Sequence, residues 1–197
     1  MPSHFDLLID SFVQSRVGTD PLFLSKELSA GLAENIGQLQ KDNMMNAAGI
    51  GNDEVKDAHQ QMRSDKIYWM DKKHENAFEN EFLTLAENFI DRLNETCYTG
   101  INSYEFHYAV YEEGSFYKRH KDRFANDSNR KYSLISYLNN DWLEEDGGQL
   151  LVYQNEQAQK IQPHAQTAVF FQSDETEHEV VKANRSRMSV SGWLKRI

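Results

Sequence analysis

The chain has 197 residues, 39% hydrophobic and 12% aromatic, which suits one domain with a packed core (1–197) and is short for two. Its 31 acidic against 21 basic side chains give a net charge of -10, which argues against a general nucleic-acid binder, since nonspecific affinity for phosphates comes from Lys and Arg. Cys97 is the single cysteine, so neither an internal disulfide nor a thiolate zinc cluster can be built within one chain.

Phe5, Leu8, Ile9, Phe12 and Val13 recur at helical spacing, and Asp6 and Asp10 interrupt them. With no basic lead and no small-residue cleavage site, this start does not read as a secretory leader, and no stretch approaches a membrane span. A soluble, cytoplasmic protein is expected. Leu28, Leu32, Ile36 and Leu39 predict a second helix after a Ser25 cap. The stretch "KDNMMNAAGIGNDEVKDAHQQMRSD" has Gly49 and Gly51 and no sustained apolar period, so it reads as a long loop leading into a short strand, "KIYWM". A third helix runs through "ENAFENEFLTLAENFIDRLNETC", with an apolar stripe of Phe78, Phe82, Leu85, Phe89, Ile90 and Leu93. Cys97 is expected to pack within it.

After residue 100 the pattern changes to short runs rich in Val, Tyr, Phe and Ser: "YEFHYAVY", "SFYKRHK", "KYSLISYL", "GQLLVY", "TAVFF", "HEVV" and "RMSVSGWL". Turn signals separate them, among them Gly114, "NDSNR" and "EEDGG". This predicts a β-sandwich or barrel of about eight strands, with the helices of roughly residues 1–99 covering one sheet.

In an extended strand, residues i and i+2 share a face, so His120 and Asp122 would point side by side. His178 follows the turn "SDETE", and Arg187 stands nine residues later at the start of a strand. Two imidazoles and one carboxylate on a β scaffold match the facial triad of non-haem Fe(II) oxygenases, and H-D-H ligation is also open to a zinc hydrolase or a non-catalytic metal-binding module. His4, His59, His74, His107 and His164 have no partner at ligand spacing and read as surface or satisfied structural residues.

The order H-K-D, His, then Arg nine residues on resembles the 2-oxoglutarate and Fe(II)-dependent dioxygenases, a double-stranded β-helix (jelly-roll, cupin-like) superfamily. "YEEGSFYKRHKDRF", "SYLNNDWLEEDGGQLLVY", "AVFFQSDETEHEV" and "RSRMSVSGWL" resemble its prolyl 4-hydroxylase branch, and "MRSDKIYW" resembles a segment of the oxygen-sensing prolyl hydroxylase-domain enzymes. Arg187, where some prolyl hydroxylases have Lys, fits the oxygen-sensing and bacterial members better than the collagen-modifying ones. Gln166 stands before "TAVFF" where many relatives have Gly, which bears on the local turn.

The resemblance implies iron held by His120, Asp122 and His178, with 2-oxoglutarate and O2 as cosubstrates, and it admits ascorbate as a reductant. It assigns Arg187 to the far carboxylate of 2-oxoglutarate, which a guanidinium can bind bidentately without losing its proton. It also makes Tyr137 a hydroxyl donor to that carboxylate, Tyr111 a pocket residue and Trp193 a wall of the cavity. Trp193 shares a strand face with Arg187 by parity. The implied substrate is a prolyl residue in a protein or peptide, with a small molecule, a free amino acid or RNA as alternatives. Lys118, Arg119, Lys121, Arg123, Arg130 and Lys131 could meet an anionic substrate. Residues 42–65 are expected to form a substrate lid whose closed position Arg63 and Asp65 fix.

Overall fold

The computed structural model describes residues 2–49, 62–122, 129–154 and 157–197. Three helices lie where the periodicity places them: α1 (His4–Ser15), α2 (Lys26–Lys41) and α3 (Ala77–Cys97). Each starts on a side-chain cap that satisfies a backbone N–H left without an intrahelical acceptor. Ser3 and Asp6 make a reciprocal capping box, Ser25 accepts from Leu28 N–H, and Asn76 accepts from Glu79 N–H. α3 stops at Tyr98, whose left-handed backbone (φ 54) cannot continue the helix. Among the described residues, no helix is long and apolar enough to cross a membrane.

The described residues contain eleven strands, in chain order β1 (Val17–Asp20), β2 (Asn46–Ala47), β3 (Lys66–Trp69), β4 (Ser103–Tyr111), β5 (Tyr117–His120), β6 (Arg130–Tyr137), β7 (Leu150–Gln154), β8 (Gln157–Ile161), β9 (Ala168–Gln172), β10 (Glu177–Val180) and β11 (Arg187–Lys195). They form two antiparallel sheets, one of order β1-β9-β6-β11-β4-β3-β2 and one of order β5-β10-β7-β8. This is the expected jelly-roll with helices packed on one sheet. The period of two sorts side chains between two cores. Along β4, Phe106, Tyr108 and Val110 pack with Leu8, Leu32, Phe82 and Phe89 of the helices. Ala109 and Tyr111 pack instead with Leu150, Val152 and Val180 of the smaller sheet. The site opens on that second side.

Several expectations are corrected. Cys97 is exposed, because α3 ends on it, one turn beyond Leu93 and past the packed stripe. Phe78 is 37% exposed and covers the Cβ-less patch at Gly31. β1 and β8 form although neither "VGTD" nor "QAQKI" alternates apolar with polar residues, since β1 is pinned at the sheet edge by β9 and β8 by β7. β2 forms at Asn46–Ala47 within the expected loop, and residues 50–61 of that loop lie outside the described residues. Gln166 adopts φ 70, the conformation a glycine takes freely. Its backbone N–H donates to Tyr137 O (3.0 Å) and its side chain to Leu24 O (2.9 Å), so the turn doubles as a tie between the large sheet and the segment before α2.

Candidate active site

β5 and β10 pair so that His120 lies directly opposite His178. Asp122 follows two residues after His120, held by its backbone N–H donating to Ser173 O at 3.1 Å. One Asp122 carboxylate oxygen lies 3.4 Å from His120 Nε2 and 3.6 Å from His178 Nε2. The potential ligand atoms of all three lie within 4.8 Å of one another. Each imidazole donates from Nδ1 to a backbone carbonyl, His120 to Lys118 O (2.7 Å) and His178 to Thr176 O (3.2 Å). A carbonyl oxygen can only accept, so these bonds fix the Nδ1–H tautomer and leave both Nε2 lone pairs for a cation. His120 Nε2 is buried with no hydrogen-bond partner among the described residues. The ring of Tyr117 stacks on His120 at 3.5 Å between centroids and limits its rotation.

The other Asp122 oxygen accepts from Ser133 Oγ at 2.6 Å, and Ser133 is linked to Ser173 Oγ at 2.9 Å. Burial would raise the Asp122 carboxyl, but His178, His120 and the Ser133 hydroxyl together hold it well below the ordinary carboxylate range. Asp122 is therefore an anion at neutral pH. Two neutral nitrogen donors and one anionic oxygen, on one side of an open cavity, fit a divalent iron that keeps free coordination positions.

Farther in, Arg187 is 1% exposed and has no ion-pair partner among the described residues. A guanidinium buried without a counter-charge is costly, so this geometry calls for an anion to enter. Register places Arg187 opposite Tyr111, and Ser189, two residues on, opposite Tyr137. The guanidinium carbon lies 4.8 Å from the Tyr111 ring centre and 4.9 Å from that of Tyr137. Arg187 Nε and Tyr137 Oη, both buried, have no hydrogen-bond partner of ordinary geometry among the described residues. Gly148, at φ +63, makes room for the arginine stem, since a Cβ there would lie 2.9 Å from Arg187 Cδ. Burial pushes the Tyr111 and Tyr137 phenols up, so both are neutral donors at any ordinary pH. A single cleft, open at one end, joins Arg187 to the His–Asp–His cluster.

Its outer end is aromatic. Trp193 lines the cleft as parity predicts, with Arg130 stacked 3.4 Å from its ring centre and itself paired to Glu105 at 2.6 Å. Trp69 is 46% exposed at the mouth. Arg63 and Asp65 form a bidentate pair (2.7 and 2.6 Å), and Arg63 lies over Tyr117. Ser64 N–H donates to Phe116 O, and Lys118 N–H to Met62 O, so these two residues sit in a segment bonded to the β5 region.

His107 corrects the sequence reading: it is neither at the surface nor satisfied, being 3% exposed, lining the cleft, with Nδ1 unpartnered among the described residues. Counting back by twos from Tyr111 along β4 would have found it. Ser133 and Ser173 were also missed, because a serine in a strand carries no signal until a carboxylate lies opposite. His4 and His74 are satisfied as expected, by Asp20 and Glu79 at 2.8 Å each. His59 and Arg123 lie outside the described residues.

A jelly-roll with a His–Asp–His cluster and a buried arginine, unpaired among the described residues, across the same cleft is the arrangement expected of a non-haem oxygenase. Residues 106–195 match the family model described as "2OG-Fe(II) oxygenase superfamily". The chain is similar to a prolyl-4-hydroxylase from Pseudomonas putida at 29% identity and TM-score 0.89, over 98% of this chain and 99% of that one. It also resembles a prolyl hydroxylase from Trichoplax adhaerens, solved with a hypoxia inducible factor oxygen degradation domain peptide, at 24% identity and TM-score 0.86 over 98% and 89%. SnoN, an alpha ketoglutarate dependent epimerase of nogalamycin biosynthesis, shares the fold at 14% identity and TM-score 0.68, over 98% and 82%. Residues 106–195, which carry the His–Asp–His cluster and Arg187, thus match a family whose name carries 2-oxoglutarate and Fe(II), and the likeness to the Pseudomonas putida prolyl-4-hydroxylase spans nearly all of both chains.

Proposed function

We propose that this enzyme hydroxylates a prolyl residue in a protein or peptide. The observation that carries the oxygenase reading is the buried Arg187, unpaired among the described residues, in the same cleft as the His120–Asp122–His178 cluster. A hydrolase or an idle metal-binding module has no use for a desolvated cation aimed at a second carboxylate. The prolyl reading is supported by 29% identity to a prolyl-4-hydroxylase over nearly the full length of both chains.

In this reading His120, Asp122 and His178 would hold Fe(II), and Arg187 would bind the far carboxylate of 2-oxoglutarate. Tyr137 Oη donates to the same carboxylate, and Tyr111 closes the pocket beside it. With Asp122, a divalent cation, the 2-oxoglutarate dianion and Arg187, the formal charges cancel, which lets the assembly sit in a dry pocket. Bound there, iron and 2-oxoglutarate supply the oxidising chemistry, with succinate and CO2 leaving. The protein orients Nε2 of both imidazoles, fixes the Asp122 carboxylate through Ser133, and excludes water by burying the inner end of the cleft. Arg63 and Asp65, paired to each other, anchor the far end of residues 42–65, read here as the substrate lid. One domain spans 1–197, placed in the cytoplasm, where 2-oxoglutarate and reduced iron are at hand.

Pairing of nearby cations disfavours RNA as the substrate: Arg119 is bound by Glu177 and stacked on Tyr153, and Arg130 is bound by Glu105. The test is succinate formation with Fe(II) and 2-oxoglutarate, with and without a pool of proline-containing peptides. Stimulation by that pool and not by an alanine-for-proline pool is expected. Iron-dependent succinate formation that only a small molecule or RNA stimulates would overturn the prolyl assignment and leave the oxygenase standing.

A further inference from the structure

Two buried polar atoms at the outer end of the cleft lack partners among the described residues: His107 Nδ1 and Trp193 Nε1. They stand on the same face of neighbouring strands, since His107 lies opposite Ser191 and Trp193 opposite Glu105. Their rings are 5.4 Å apart between centroids, and Trp69 flanks His107 at 5.0 Å on the exposed side. Leaving such atoms unsatisfied is expensive, and both side chains line the cleft that reaches the metal cluster. A ligand that fills the cleft is the available partner.

The chemistry of the pair selects that ligand. An indole N–H can only donate. Burial and the charge of Arg63 push His107 down to about 3, so its imidazole is neutral and carries one N–H. With its proton on Nδ1, the tautomer that an oxygen placed there would select, His107 gives with Trp193 two neutral donors side by side, which suit an uncharged oxygen with two lone pairs, such as a carbonyl. The positive charge of Arg130 behind Trp193 is already met by Glu105, so the wall makes no demand for an anion. A prolyl residue offers a main-chain carbonyl and no N–H, so a wall made of donors satisfies it completely.

We infer that His107 is a specificity-determining residue which, together with Trp193 Nε1, binds the main-chain carbonyl oxygen of the substrate's prolyl residue. This rests on the prolyl reading above. His107→Phe keeps a flat ring between Trp69 and Trp193 and removes the nitrogens, whereas His107→Asn keeps a polar nitrogen near the position of Nδ1. The probe is a blocked proline-containing peptide selected from a random-sequence pool for turnover by wild-type enzyme. For His107→Phe, the KM for that peptide should rise about tenfold, the effect of one lost neutral hydrogen bond, with kcat within about twofold. His107→Asn should restore most of the loss. A wild-type KM in His107→Phe would overturn the inference and leave the prolyl reading intact. A parallel fall in kcat and 2-oxoglutarate affinity that His107→Asn does not repair would assign His107 a structural role and also overturn it. If wild-type enzyme turns over no proline-containing peptide, the prolyl reading falls and takes this inference with it.

Discussion

The two sheets that enclose the cleft are built to different standards of support. The larger has helices packed on its outer face, so β6 and β9 are buried almost throughout and Tyr137, Phe170 and Phe171 are fully enclosed. The smaller has one covered face; β8 is exposed for most of its length, and the outer side carries solvent-facing pairs such as Arg119 with Glu177 and Lys160 with Glu144. Arg187, Tyr111, Tyr137, His107 and Trp193 sit on the supported sheet. His120 and His178 hang on the thin one. The proposed cosubstrate clamp is therefore rigid by packing, and the proposed metal end depends on hydrogen bonds and on the cation that would tie β5 to β10.

The largest effect expected from this contrast is at the thin sheet. Asp122→Ala removes the one anionic donor of the cluster, so iron content should fall to background in metal analysis and succinate formation should vanish. Retained iron and turnover would mean that another carboxylate serves the site. On the supported sheet, Arg187→Ala should keep its iron and lose its hold on 2-oxoglutarate. Breaking a desolvated charge pair costs about 3 to 5 kcal/mol, which corresponds to a rise in the 2-oxoglutarate KM of at least about a hundredfold. Loss of iron as well would show that the two ends are not independent.

Ser133→Ala sharpens the comparison, because Ser133 belongs to the supported sheet yet holds Asp122 at 2.6 Å. Loss of such an orienting bond should weaken metal binding about 10–100-fold in a chelator competition. An unaltered affinity would mean that Asp122 is positioned by its backbone alone. The His107 imidazole gives a pH test of how dry the supported side is. Its folded pKa is depressed by burial from 6.5 to about 3, so the unfolded chain binds its proton first and stability falls as pH drops through that window. Wild type should lose about 2 kcal/mol relative to His107→Phe by about pH 5, measured by denaturant unfolding. Equal acid sensitivity would mean that His107 is solvated, with Arg63, Asp65, Asp122 and Arg130 screened from it. The smallest effect is expected at Asn76→Ala, which removes the cap of α3 and should cost about 1 kcal/mol of stability without changing metal affinity.

The parts of this architecture that local rules govern were legible in the sequence. Arg187 with Trp193 follows from strand parity, and the helices follow from their apolar stripes; Asp122 does not, because β5 ends at His120 and Asp122 sits in the bend beyond it, held by Ser173. What stayed hidden depends on strands meeting. β1 and β8 carry no alternation of their own and exist because β9 and β7 offer them free edges. His107 has no neighbour in sequence that marks it, and its meaning comes from Trp193 across β11 and Trp69 across β3. Ser133 reads as filler until β6 sets it against Asp122. Cys97 was misplaced because an apolar period does not say on which turn the packing ends.

The most direct test of the central claim is mass spectrometry of a turned-over proline-containing peptide after reaction with Fe(II), 2-oxoglutarate and isotopically labelled O2. One labelled oxygen atom on the prolyl ring, with succinate formed in equal amount, is the predicted result. Succinate formed in full while every prolyl residue stays unlabelled, or label on a residue other than proline, would contradict it.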